Sequence, residues 1–177
     1  MLYFTGSSER LRQMTKKIIY IAAIFLVLTS TAIFIFSNSM LSGEDSNQKS
    51  GVIVDLIRPI IDPDGKMATY EIQYIVRKTA HFAEFFVFGA SLTAISFLIG
   101  KKIFTPWIFM PMFLTLAAAV ADEYVQSFTG RTSLVSDIVI DFSGGMSGIL
   151  LAVIIYAIIR AVKNRKTKLT EIELNIK

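Results

Sequence analysis

The sequence predicts an all-α integral membrane protein, a bundle of four transmembrane helices with an extracytoplasmic connector of short amphipathic helices. Three observations predict it. Hydrophobic residues make up 53% of the chain and charged ones 18%, against about 25% charged in a soluble domain, and the mean hydropathy is +0.57. Four stretches are apolar over about the 20 residues that a helix needs to cross a bilayer. The charges that remain gather at the ends of those stretches. With no cysteine, the sequence has no disulfide, thiolate metal site or cysteine nucleophile. The net charge of +4 comes mostly from the two ends and one short loop. It therefore reads as membrane orientation and not as a nucleic-acid footprint.

Residues 1–17 form a basic N-terminus, with Arg10, Arg12, Lys16 and Lys17 against Glu9. Residues 18–36 carry no charge and make the first span. A signal peptide is the competing reading, because Ser37-Asn38-Ser39 supplies small residues. The apolar run exceeds the ~7–15 residues of a signal core, so it is expected to be retained. A polar connector covers 37–66, with turn chemistry at Gly43, Gly51 and Asp62-Pro63-Asp64-Gly65. Val52, Ile53, Leu56, Ile57 and Ile60, then Met67, Tyr70, Tyr74 and Ile75, have helical spacing over lengths too short to span. They predict two short amphipathic helices at the membrane surface.

The second span covers 80–99 and ends at Gly100-Lys101-Lys102. The third covers 103–121, opened by Pro106 and Trp107, with Pro111 placed to kink it. A loop over 127–133 leads to the fourth span, 138–159, followed by a basic tail over 160–177 with Arg160, Lys163, Arg165, Lys166 and Lys168. The membrane domain is thus 18–159. The positive-inside rule puts both termini and Lys101-Lys102 in the cytoplasm. Arg77 and Lys78 then fall on the outer side, against the trend.

With that alternation, the ionisable residues at the outer ends of three spans arrive at one depth. They are His81 and Glu84 on the second, Asp122, Glu123 and Gln126 on the third, and Asp137 and Asp141 on the fourth, with Arg131 in the loop. Helical phase agrees: Arg77, His81, Glu84 and Phe88 stay within roughly 60° of one another. Asp122 and Gln126 are four apart, as are Asp137 and Asp141. Gly144 and Gly148 continue the aspartate stripe and suit close helix packing. The N-terminal ends of spans two and four carry partial positive charge. They favour Asp137 as a carboxylate, with Ser136 as a cap, and an anionic ligand.

Arg77-Lys78-x-x-His81-Phe82-x-Glu84-Phe85, then Asp122-Glu123-x-x-Gln126, Gly130-Arg131 with Ser133 and Asp137, and Gly144, Gly145 and Gly148 resemble the VanZ-like family over roughly residues 20–158. The connector from Ser37 to Gly51, with Ser46 and Ser50, is similar too. Two positions depart from the family: Asp141 stands where an amide such as Asn is expected, and Phe85 where a Tyr is usual. The resemblance implies a small protein of the bacterial cytoplasmic membrane. The family's namesake lowers susceptibility to the lipoglycopeptide teicoplanin.

Three kinds of function fit the outer cluster. As a binding site, Arg77, His81, Glu84, Asp122, Glu123, Gln126, Arg131 and Asp137 would hold the head group of an amphiphile. Guanidinium groups grip phosphate or carboxylate bidentately, and a membrane lipid, a lipid-linked cell-wall precursor or a lipoglycopeptide would fit. As an enzyme at the membrane surface, His81, Glu84, Glu123 and Asp137 supply groups for acid–base catalysis. As a structural lock, Arg77 would pair with Glu84 and Arg131 with Asp122 or Asp137, leaving function to protein partners. One histidine and several carboxylates are acceptable ligands for a divalent metal, but a single histidine argues against the common zinc sites, and no cofactor and no metal are expected. Lys78 and Trp107 read as interfacial anchors.

Overall fold

The computed structural model describes the backbone of residues 2–100 and 106–176 and the side chains of 9–100, 107–170 and 172. Lys101-Lys102 and the first residues predicted for the third span, 103–105, lie outside the described residues. The described chain is helical throughout: α1 (Leu2–Ser39), α2 (Gly43–Ile61), α3 (Thr69–Leu98), a 3-10 turn at Pro106–Ile108, α4 (Phe109–Ser127) and α5 (Val135–Ile176). Three of these helices are long and apolar enough to cross a membrane: Glu9–Ser39 of α1, all of α3, and Val135–Thr170 of α5. α4 is not among them. It has 19 residues, and its last two turns carry Asp122, Glu123 and Gln126, which lower its mean hydropathy.

Only 6% of the most apolar stretch of α1 is buried. Its Phe25, Leu26, Ile33 and Phe34 face outward, the arrangement a helix takes when its solvent is lipid. α3 and α5 form the central pair, and small residues set their spacing. A Cβ added to Gly144 would overlap the carbonyl oxygen of Phe82, one at Gly148 that of Phe86, and one at Gly89 that of Gly145. The two backbones are therefore in direct contact, as the Gly144/Gly148 spacing predicts. Ile35 of α1, Phe85 of α3 and Ala119 of α4 are buried together, and Phe88, Ala118 and Ile138 pack on them. Four helices meet at this cluster. Phe85 is fully buried there, so an apolar ring suits the position and a tyrosine hydroxyl would need a partner.

The connector differs from expectation in its second half. Met67, Tyr70, Tyr74 and Ile75 do not form a separate surface helix, because α3 runs unbroken from Thr69. Ile72 and Val76 on these first turns are buried against Val54 of α2, with Ile57 and Met67 around them. α2 is therefore docked on α3. Its opposite stripe, Val52, Leu56 and Ile60, stays exposed. Pro111 also departs from expectation. It lies in the first turn of α4, where a backbone N–H would have no intrahelical partner, so the proline opens the helix instead of kinking its interior.

The α2–α3 turn is held by Asp62. Its carboxylate accepts the backbone N–H groups of Lys66 (2.8 Å) and Met67 (3.0 Å), while Gly65 takes a left-handed φ of 65°. Arg58 closes the turn from α2, donating to the Met67 carbonyl and to Thr69 Oγ1, both at 3.1 Å. Asp62→Ala is expected to cost about 1–2 kcal/mol, because two partly buried donors lose their acceptor. Thermal unfolding in detergent reads the loss, and amide hydrogen exchange at Lys66 and Met67 localises it.

Candidate functional site

The polar ends of α1, α3, α4 and α5 meet on one side of the bundle. α4 ends in a turn that needs Gly130 at φ 71°, and this turn carries Arg131 back over the helix ends. A cavity of about 340 Å³ results, lined among others by Asn47 of α2, Arg77, Lys78 and His81 of α3, Glu123 and Gln126 of α4, Arg131, and Asp137 and Asp141 of α5. A smaller one of about 200 Å³ lies toward α1 and α2, shares Arg77, His81 and Arg131, and adds Asn38, Ser50 and Glu84. Of the eight residues predicted to form a binding site, six line the larger cavity. Glu84 lines the smaller one. Asp122 is fully buried beneath them.

Asp122, Glu123, Asp137 and Glu84 each have a defined partner, whereas buried Asp141 Oδ2 has none. Asp122 accepts from the hydroxyl of Ser39 at the end of α1 and from Gln126 Nε2 at 2.6 Å, so two helices hold it. Glu123 accepts the Ser133 hydroxyl at 2.8 Å and the backbone N–H of Leu134 at 3.1 Å. It thereby fastens the chain just before α5 begins. Ser136, expected as the cap of that helix, lies inside its first turn and donates to Asp137 at 3.3 Å. The carboxylate of Asp137 is ion-paired with Lys78. Glu84 accepts from Asn38 Nδ2 at 3.4 Å.

These pairings correct several expectations. Lys78 is not a free interfacial anchor, since it is bound to Asp137 with its side chain only 22% exposed. Arg77 donates to Asn47 of α2 and not to Glu84. The partners foreseen for Arg131 are engaged elsewhere, Asp122 by Ser39 and Gln126, Asp137 by Lys78. Arg131 makes no hydrogen bond or ion pair among the described residues, yet it faces both cavities. The N-terminus of α3 is also not at the site. His81 lies twelve residues into the helix, about 18 Å along its axis, so the N-terminal ends at the cavity are those of α2, which begins at Gly43, and α5.

Sequence reasoning noted the connector from Ser37 to Gly51 but gave Asn38, Ser39 and Asn47 no place in the site. Their contribution depends on how α1 and α2 dock on α3, and no spacing in the sequence encodes that. It placed Asp141 at the same end of its helix as the other ionisable residues without giving it a role. Asp141 is 1% exposed, and its Oδ1 lies 3.7 Å from His81 Nδ1.

A family model described as VanZ/LLP1 matches residues 18–156. The chain belongs to that family. The matched region takes in α2, α3 and α4, most of α1 and the part of α5 that packs on α3, and so contains every residue of both cavities. Its long apolar helices and its family make it a membrane protein. Comparison with curated proteins and with solved structures finds no match. The polar motif residues scattered over 77–137 in the sequence are thus gathered at one end of this bundle, while Gly144, Gly145 and Gly148 pack α5 on its neighbours further along the helix.

Proposed function

We propose that this VanZ-like protein crosses the bacterial cytoplasmic membrane four times, with both termini in the cytoplasm. On this reading its cavity opens at the outer leaflet and binds the head group of an amphiphile, either a lipid-linked cell-wall precursor or a lipoglycopeptide. It thereby lowers susceptibility to teicoplanin-type glycopeptides, as the family's namesake does. The observation that carries the reading is Arg131. Its guanidinium lines the cavity with no carboxylate of its own, while Asp122, Glu123 and Asp137 are already held. A cation left in that state at a membrane surface is suited to phosphate or carboxylate. Arg77 lines the same space, and the N-terminal end of α5 adds partial positive charge.

Two further features support the placement. The basic residues of α1 and of the end of α5 lie at the end of the bundle away from the cavity, as the positive-inside rule requires for an outward-facing site. The exposed Val52, Leu56 and Ile60 of α2 would lie in the membrane interface. The test is Arg131→Ala in the full-length protein. Binding of teicoplanin or of vesicles carrying the lipid-linked precursor is expected to fall at least tenfold, and glycopeptide susceptibility to return to that of cells lacking the protein. The unfolding temperature should not change, because Arg131 holds nothing else in place. Unchanged binding and susceptibility would sink the reading.

A further inference from the structure

At the floor of the larger cavity three side chains, His81, Asp122 and Asp141, come together with no hydrogen bond among them. His81 Nδ1 is 3.6 Å from Asp122 Oδ2 and 3.7 Å from Asp141 Oδ1, too far for hydrogen bonds. One donor atom from each of the three residues lies within 4.8 Å of the others. Donors around a tetrahedral ion with bonds of about 2.1 Å are about 3.4 Å apart, so small side-chain adjustments would close the set. A second observation points the same way. Asp141 is 1% exposed, yet its Oδ2 has no hydrogen-bond partner, and the same is true of buried His81 Nδ1 and of Glu84 Oε2 on the neighbouring turn. Buried polar atoms are normally satisfied, and those that are not call for an explanation.

Charge supplies the explanation. The carboxylates of Glu84, Asp122, Glu123, Asp137 and Asp141 face the cations Arg77, Lys78 and Arg131. With every carboxylate ionised, that is an excess of two negative charges at a place where unpaired charge is costly, a state that a bound cation would relieve. We propose that His81, Asp122 and Asp141 bind one divalent cation of the transition series, such as Zn²⁺ or Mn²⁺. One imidazole with two carboxylates is a nitrogen and oxygen set of the kind these ions accept, whereas Mg²⁺ is held mostly by oxygen. The ion neutralises the excess. Ser39 and Gln126 orient the Asp122 carboxylate from behind, as outer-shell partners of metal ligands do. His81 and Asp141 line the cavity, so the ion keeps coordination positions open to whatever enters. The sequence argued against a metal because it holds one histidine, but two aspartates from different helices complete the set.

The proposal does not depend on which head group the cavity takes, and its test needs none. Full-length protein purified in detergent without chelator is assayed for metal, then stripped and titrated with Zn²⁺ or Mn²⁺ while unfolding is followed. About one ion per chain is expected, and adding either ion should raise the unfolding temperature of stripped protein by several degrees. Asp141→Asn keeps the shape of the side chain and should lose the ion, as should His81→Ala, whereas Arg131→Ala should retain it. A stripped wild type that takes up no ion and shows no shift would overturn the proposal. So would full occupancy in both Asp141→Asn and His81→Ala. Retained metal in Arg131→Ala with lost head-group binding separates this site from the reading above.

Discussion

Replacing Lys78 with methionine is expected to lower the stability of the purified protein by about 3 kcal/mol, toward the low end of the roughly 3–5 kcal/mol lost when one partner of a buried ion pair is removed. The low end applies because Lys78 keeps its side chain 22% exposed, while that of Asp137 is 10% exposed. The loss comes from Asp137, left as a buried carboxylate with only the neighbouring Ser136 hydroxyl. Lys78→Met combined with Asp137→Asn should therefore regain most of the stability, because the pair is removed together. Thermal unfolding of wild type, both single variants and the double variant in one detergent measures the coupling. A Lys78→Met protein as stable as wild type would mean that water screens the pair, and the lock between α3 and α5 would have to lie elsewhere.

Gly148→Val should be the second large effect. A Cβ at this position already overlaps the backbone carbonyl of Phe86, and valine adds two methyl groups at the same point. The facing atom belongs to a helix backbone, so no side chain can swing away. The helices must separate, at or above the upper end of the about 1–3 kcal/mol typical of overpacking. Separation would also loosen the cavity, because α3 and α5 carry His81, Asp137 and Asp141. The unfolding temperature should fall well below wild type, and metal occupancy should fall with it. Gly43→Val, where the nearest atom to an added Cβ is the flexible Arg131 side chain at 3.9 Å, serves as a mild comparison.

The site joins two arrangements that the sequence could only offer as alternatives. Ser39, Gln126, Lys78, Ser133 and Leu134 satisfy Asp122, Asp137 and Glu123 and tie four segments together, so part of the cluster is a lock. Arg131, His81 and Asp141 stay outside that network and face the cavity. The lock holds the open groups in place, and a single cluster accommodates both.

Much of this was present in one dimension. Apolar runs of bilayer length, four-residue spacing in Asp122/Gln126 and Asp137/Asp141, and the Gly144/Gly148 pattern are properties of single helices, so the sequence by itself determined them. It also determined at which end of each helix the ionisable residues fall, because that follows from counting along the helix. Which group meets which was decided only by the tertiary structure. Lys78 rather than Arg131 reaches Asp137, Asn47 rather than Glu84 reaches Arg77, and Ser39 comes from the far end of α1 to hold Asp122. Those pairings depend on the rotation of each helix about its axis and on the docking of α2, which are fixed by contacts between segments up to 90 residues apart, such as Thr129 with the Ser39 carbonyl. Periodicity along one helix carries no information about the phase of its neighbour.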